Sequence, residues 1–306
     1  MTAVNPPMTE KTRFVQGQLL SKAEQVSQQA LKSGALVPIP TSFETFVDDG
    51  IPFQIRLLTH LNKKAKKAIQ VASKEVPRPA FNPFLPFDKE LFVADLSESH
   101  AVVLNKYNVL PNHMLLITRT FHSQLDDLDL SNFQAACTGL SEVDGLIFFN
   151  GGEAAGASQP HKHLQLLPLE EPLAIANTVD EALNQAEKTP VKSFPFAHGL
   201  RRVAWDIDSI EEIASSAYQD YLELLSEIKH KAAWQESTEK HFPYNLLMTR
   251  HWLLLIPRRV EFYEGVSVNS MGFAGGFLAK NQEQVENIKT IGPLNILRHV
   301  GYPISK

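Results

Sequence analysis

His161, His163 and Gln165 are spaced two residues apart, directly behind a loop rich in glycine and alanine that runs from Asn150 to Pro160. In an extended strand that spacing puts all three side chains on one face, while Leu164 and Leu166 turn to the other and belong in a core. Two imidazoles and an amide facing such a loop are hard to bury without a polar ligand. Gly151, Gly152 and Gly156 let the backbone come close to a ligand and point N–H groups at it, which suits a phosphate. A neutral imidazole is a competent nucleophile toward phosphorus near pH 7. Histidines two apart can also chelate a metal, but no Asp or Glu lies between His161 and Gln165.

The elements that must hold these residues can be read from hydropathy. Gly145 to Asn150 and His163 to Leu167 are apolar, strand-like runs on either side of the loop. Leu91 to Ala94, Ala101 to Leu104 and Met114 to Thr118 read as strands before them, and Tyr244 to Met248 and Trp252 to Ile256 as strands after them. Most lie close together without helices of crossover length between them, so an antiparallel or mixed sheet is expected and the class is α+β. Helices are expected at Thr9 to Gly34 (Thr9 as cap, Gly34 as stop), Ser131 to Val143, Asp208 to Trp234 (Asp208 as N-cap), Asn281 to Ile291 and Leu294 to Val300. Pro77 to Pro86 reads as an ordered irregular segment, and Leu169 to Lys192 as a polar connection. His163 to Pro168 and Trp252 to Pro257 echo each other as apolar strands ending in Pro, with Trp and Leu in the second where the first has His and Gln.

The chain has 306 residues, 43% apolar and 21% charged, enough for one large domain or two ordinary ones with a sizeable core. Those figures exclude a disordered tail, a collagen-like rod and a disulfide-stapled mini-protein. With 34 acidic and 29 basic side chains the formal charge is −5, so no global attraction to nucleic acid or an anionic membrane is expected. An anionic ligand must therefore be captured locally. The single cysteine, Cys137, excludes an internal disulfide and a paired-Cys zinc motif, and a buried helical position is expected for it. Met1 to Glu10 lacks the features of a secretory signal, and apolar runs such as Trp252 to Ile256 fall far short of a membrane span. A cytoplasmic location is the expectation.

His161-Lys162-His163-Leu164-Gln165 resembles the His-x-His-x-Gln variant of the histidine triad superfamily. The longer string Gly156 to Gln165 resembles the ATP adenylyltransferases, also called diadenosine tetraphosphate phosphorylases. So do Asn82 to Pro86, Leu104 to Asn108, His113 to Arg119, Tyr244 to Thr249, Trp252 to Arg258 and Asn269 to Gly276. The likeness runs from about Ile55 to Pro303. It implies a histidine-triad-like antiparallel sheet with flanking helices in two related halves, a catalytic one at 1–170 and one at 190–306 that completes the fold.

The resemblance further implies that His163 attacks the α-phosphorus of diadenosine tetraphosphate, expels ATP and carries a covalent adenylate that inorganic phosphate takes up as ADP, reversibly. AMP belongs to the same ligand set. Gln165, where hydrolytic relatives carry a third His, can hold a phosphoryl oxygen but cannot exchange a proton near neutral pH, which favours phosphate over water as acceptor. His161 is expected to orient the reacting groups. Asn150, Gly156, Ala157, Ser158 and Gln159 correspond to the loop around the α-phosphate, held largely through backbone N–H groups. Lys64, within the basic run Lys63 to Lys67, and Lys106 are candidates for the outer phosphates; Asn82, Phe84, Leu85 and Asn105 for the nucleoside pocket. Mg²⁺ is expected to enter with the nucleotide, not in a site built by the protein. His113, Arg119, Gln124 and Arg258 receive no role. Two fused halves suggest a monomer. Transfer from a hexose-1-phosphate uridylyl donor, an ADP-sulfurylase activity, and a nucleotide sensor without turnover remain as alternatives.

Overall fold

The computed structural model describes residues 4–59, 82–170, 173–185, 191–206, 209–231 and 241–304. Lys64 with its basic run, Pro77 to Phe81 and Asp208 lie outside the described residues.

Thirteen strands are described. β1 (Thr41–Asp48), β2 (Ile51–Leu58) and β13 (Gly276–Ala279) make a small sheet in the order β1-β2-β13, with β13 parallel to β2. β11 (Phe262–Tyr263) and β12 (Val266–Ser267) form a short ribbon. The main sheet consists of β3 (Phe92–Asp95), β4 (His100–Leu104), β5 (Met114–Thr118), β6 (Gly145–Gly151), β7 (His163–Pro168), β8 (Gly199–Arg202), β9 (Tyr244–Met248) and β10 (Trp252–Pro257). Its order is β3-β4-β5-β7-β6-β9-β10-β8, and every neighbouring pair is antiparallel.

Alternation along these strands makes two faces. Leu116, Ile147, Phe149, Leu164, Leu166, Leu246 and Leu255 join one core with the helices α1 (Leu19–Ser33), α2 (Leu130–Glu142) and α4 (Ile210–Lys231). The opposite face carries two clusters. Phe84, Phe87, Val103, Leu115 and Ile117 form one at the β4–β5 end. Leu146, Phe148, Leu247, Trp252 and Leu254 form the other, under the small sheet and the helices α3 (Ala176–Gln185), α5 (Ser270–Phe273), α6 (Gln282–Ile291) and α7 (Pro293–Val300). His163 pairs with Ile117 and Gln165 with both Leu115 and Phe148, so the polar row lies between the two clusters.

The echoing strands β7 and β10 hold corresponding places in the strand order, outside β6 and β9 respectively. Phe148 and Leu247 face each other at the centre of the sheet, Gln165 lies beside Phe148, and Leu254 lies beside Leu247. In this register Leu254 holds the place beside Leu247 that Gln165 holds beside Phe148, and Trp252 precedes Leu254 by the two residues that separate His163 from Gln165.

Two expectations need correction, and one element is new. The first helix begins at Leu19, not Thr9; Thr9 to Thr12 form a separate hydrogen-bonded turn, and Gln18 gives the helix no side-chain cap. The connection at Leu169 to Lys192 contains α3, which buries Val179 and Leu183. The hairpin β1–β2 was not anticipated, because β1 exposes most of its residues and lacks a clean alternation.

Candidate active site

His163 opens β7 with its ring held in one orientation. Its Nδ1–H donates to the His161 carbonyl at 2.8 Å, which leaves Nε2 with a lone pair. Only 5% of the residue is exposed, and burial pushes its pKa down to about 4, against the opposing pull of that carbonyl. Phe84 packs against both imidazoles, at 5.2 Å from His163 and 5.6 Å from His161. The imidazole is therefore neutral over the whole physiological range.

His161 precedes the strand and is joined to Ser123 by an isolated bridge, yet its side chain shares the His163 face. Both of its ring nitrogens are engaged by protein. Nε2 donates to the Thr118 carbonyl at 2.8 Å and meets the Thr118 hydroxyl at 2.8 Å, while the Asn82 amide donates to Nδ1 at 2.9 Å. His161 thus acts as a fixed post whose carbonyl aims His163. Asn82, expected near the nucleoside, serves His161 and also accepts from the Phe84 N–H. Phe121, an exposed aromatic from the preceding loop, stands edge-on to His161 at 5.5 Å.

Gln165 is half-buried and its side chain interacts with His113, another imidazole held neutral by burial, at about 4. The Asn105 amide contacts His113 Nδ1 at 3.3 Å, so Asn105, His113 and Gln165 form a polar row. Lys106 lies on the surface beside Asp88, 3.6 Å away.

The loop between β6 and β7 turns on two glycines in the left-handed region, Gly152 (φ 92°) and Gly156 (φ 85°). A Cβ on Gly156 would come within 2.7 Å of the Asn269 Cβ and 3.0 Å of the Val268 carbonyl, so only glycine fits there. The Gly156 N–H bonds to the Glu153 carbonyl and the Ala157 N–H to the Gly152 carbonyl, at 2.9 and 3.0 Å. Those two bonds shape the loop. Ser158 and Gln159 follow on the exposed or half-exposed side.

The second half of the chain fastens this loop. Asn245 of β9 donates to Asn150 Oδ1 at 2.8 Å and to the Ala155 carbonyl at 2.9 Å. Asn150 Oδ1 also accepts from the Ser270 N–H and hydroxyl, at 3.0 and 2.7 Å, so its amide nitrogen points away from them. Asn245 Oδ1 in turn accepts from Arg258. The guanidinium of Arg258, 1% exposed, reaches the carbonyls of Val300, Val260 and Val268 as well. Burial lowers its pKa to about 9, which still leaves it charged at neutral pH.

Residues without an assigned role now have one in the fold. Arg119 pairs with Asp95 and holds the Pro6 carbonyl, tying the N-terminal segment to the sheet. Lys162 turns to the helix face, where it donates to the Asp127 carbonyl at 2.9 Å. Cys137 is buried in α2, and its thiol pKa is pushed up to about 12. What marked Asn245 and Arg258 in the sequence was polarity inside or beside strongly apolar strands; Ser270, which opens a short helix, carried no such mark. Among the described residues no group of His, Cys, Asp or Glu is arranged to hold a metal ion, and no helix is long and apolar enough to cross a membrane.

His100, behind the sheet, is buried like His163 and also pushed down to about 4. An unfolded histidine titrates near 6.5, so between pH 6.5 and 4 the unfolded chain takes up protons that these two groups and His113 refuse in the fold. Stability is then complete above about pH 6.5 and lost on acidification, by up to ~1.4 kcal/mol per pH unit for each histidine. Urea titrations from pH 7.5 to 5 are expected to follow this slope, and His100→Gln to make it shallower; an equal slope in the variant would contradict the assignment.

Residues 9–185 match the family model described as Ap4A phosphorylase N-terminal domain, and residues 192–303 the ATP adenylyltransferase C-terminal domain. The chain is 29% identical over 244 residues to diadenosine 5',5'''-P1,P4-tetraphosphate phosphorylase 2 of Saccharomyces cerevisiae, covering 71% of this chain and 74% of that protein. It is 27% identical over 227 residues to Protein APA1 of the same yeast, covering 68% and 70%. The crystal structure of yeast Ap4A phosphorylase Apa2 superposes with a TM-score of 0.78 at 22% identity, covering 96% of this chain and 100% of that one. Its complex with Ap4A gives 0.76 at 23% identity with the same coverage. These structures share the fold described above.

Proposed function

The chain belongs to the Ap4A phosphorylase and ATP adenylyltransferase family and is a nucleotidyltransferase, and on that premise we propose that it phosphorolyses diadenosine tetraphosphate to ATP and ADP through an adenylyl-histidine. The observation that carries this reading is the set of His163: a buried neutral imidazole with Nδ1 tied to the His161 carbonyl and Nε2 unprotonated. Nε2 attacks the α-phosphorus, the bond to the bridging oxygen breaks, and ATP leaves with that oxygen. Phosphate dianion then attacks the adenylate, the N–P bond breaks, ADP leaves and the imidazole returns to its neutral form. Run backwards, ADP adenylylates His163 and ATP accepts the adenylate.

Gln165 holds a phosphoryl oxygen in both steps and, having no titratable proton, does not activate water. Asn150, through the amide that its Oδ1 contacts turn away from the core, and Ser158 and Gln159 line the phosphate path. Gly156 and Ala157 shape that path, Lys106 and Lys64 meet the outer phosphates, and Asn105, Phe84 and Leu85 border the nucleoside. A divalent cation, Mg²⁺, rides on the polyphosphate as its counter-ion. We assign the catalytic half to residues 1–170 and its completion to 190–306, acting as a monomer in the cytosol.

Diadenosine tetraphosphate should disappear only when phosphate is present, with ATP and ADP formed in equal amounts by anion-exchange chromatography. Equally fast cleavage to AMP and ATP without phosphate would make the protein a hydrolase and sink the reading.

A further inference from the structure

The rungs between β6 and β7 end at Phe148 and Gln165. Two residues further along the same register, Asn150 stands opposite His163. There the side chain of Gln124 lies between the strands. Its Oε1 accepts the His163 N–H at 2.8 Å, and its Nε2 donates to the Asn150 carbonyl at 3.0 Å, with the His163 carbonyl at 3.3 Å. Its own backbone N–H is fixed to the Pro160 carbonyl at 2.8 Å, and the residue is 2% exposed.

A carboxamide offers a donor and an acceptor in one plane, as a peptide group does. Gln124 therefore replaces a rung with a bridge one amide wide. We propose that Gln124 is a positioning residue that holds β6 and β7 apart at the nucleophile, so that the glycine-rich loop stands off from His163 by the space a phosphoryl group needs. A direct bond between the His163 N–H and the Asn150 carbonyl would satisfy the backbone equally well while drawing the loop onto His163. The backbone alone has no need of Gln124; the gap does.

The proposal rests on the nucleotidyl-transfer reading, and phosphate-dependent turnover by the unaltered protein tests that reading separately. Gln124→Asn keeps the amide and removes one methylene, so it tests spacing with little threat to the fold; Gln124→Ala removes the bridge. With a misplacement of about 1 Å able to cost roughly 100-fold, kcat for diadenosine tetraphosphate at saturating phosphate is expected to fall about 10-fold in Gln124→Asn and about 100-fold in Gln124→Ala. KM should stay within about threefold and the thermal midpoint of Gln124→Asn within a few degrees. A folded Gln124→Asn with kcat within threefold of the unaltered protein, or a loss expressed in KM instead, overturns the positioning role while leaving the activity in place.

Discussion

His163→Ala is expected to lose phosphorolysis by roughly 10⁴-fold or more, the scale seen when a nucleophile that forms a covalent intermediate is removed. The fold should survive, because β7 is held from its other face by Leu164 and Leu166, both buried in the helix-covered core, and the lost contacts are chiefly those to Phe84 and the His161 carbonyl. A variant that binds the dinucleotide but cannot cleave it is therefore the anticipated product. With ligand labelled in the α-phosphate, the unaltered protein should retain an acid-labile adenylate after denaturation and His163→Ala none. Turnover within tenfold of the unaltered protein would remove His163 from the nucleophile's place.

The second large effect concerns stability. Arg258→Leu removes a guanidinium that serves four acceptors, Asn245 Oδ1 and the carbonyls of Val260, Val268 and Val300. Each buried acceptor left alone costs ~1–3 kcal/mol, and neighbours do not add in full, so a loss of about 3–5 kcal/mol is expected in urea unfolding. That is a large share of the ~5–15 kcal/mol by which folded proteins are stable. Arg258→Lys should rescue little, since one ammonium on a flexible stem cannot span four acceptors set around a planar fork. Activity should fall at denaturant concentrations below the unfolding transition, because Asn245 also holds the Ala155 carbonyl of the glycine-rich loop. A change under 1 kcal/mol would mean that the network relaxes without Arg258.

Strong local periodicity made part of this architecture readable in advance. Met114 to Thr118 and Tyr244 to Met248 are strands with the expected ends, and the two-residue spacing of His161, His163 and Gln165 does place them on one face. The small sheet was hidden because β1 is an exposed edge whose Phe43 and Val47 point to solvent. α3 was hidden because Ile175, Val179, Ala182 and Leu183 are diluted by polar neighbours, although their spacing is helical. The supports of the site were hidden for a different reason. Gln124 meets His163 from 39 positions away, and Asn245 meets Asn150 from 95. Such pairings exist only after the sheet is ordered, so no window of sequence contains both partners. What local pattern did contain was the oddity of Asn245 and Arg258 beside apolar strands, a sign of function in the core without an address.

The seam between β6 and β9 has one more consequence. The loop beside His163 is fastened by Asn245, Arg258 and Ser270, which reach it across that seam from the same polypeptide. Were the two halves separate subunits, mass action would dismantle the loop's anchor on dilution. Joined in one chain, the anchor is present at a fixed effective concentration, and Asn245, Arg258 and Ser270 are delivered to every loop that they fasten, one to one, whatever the abundance of the protein.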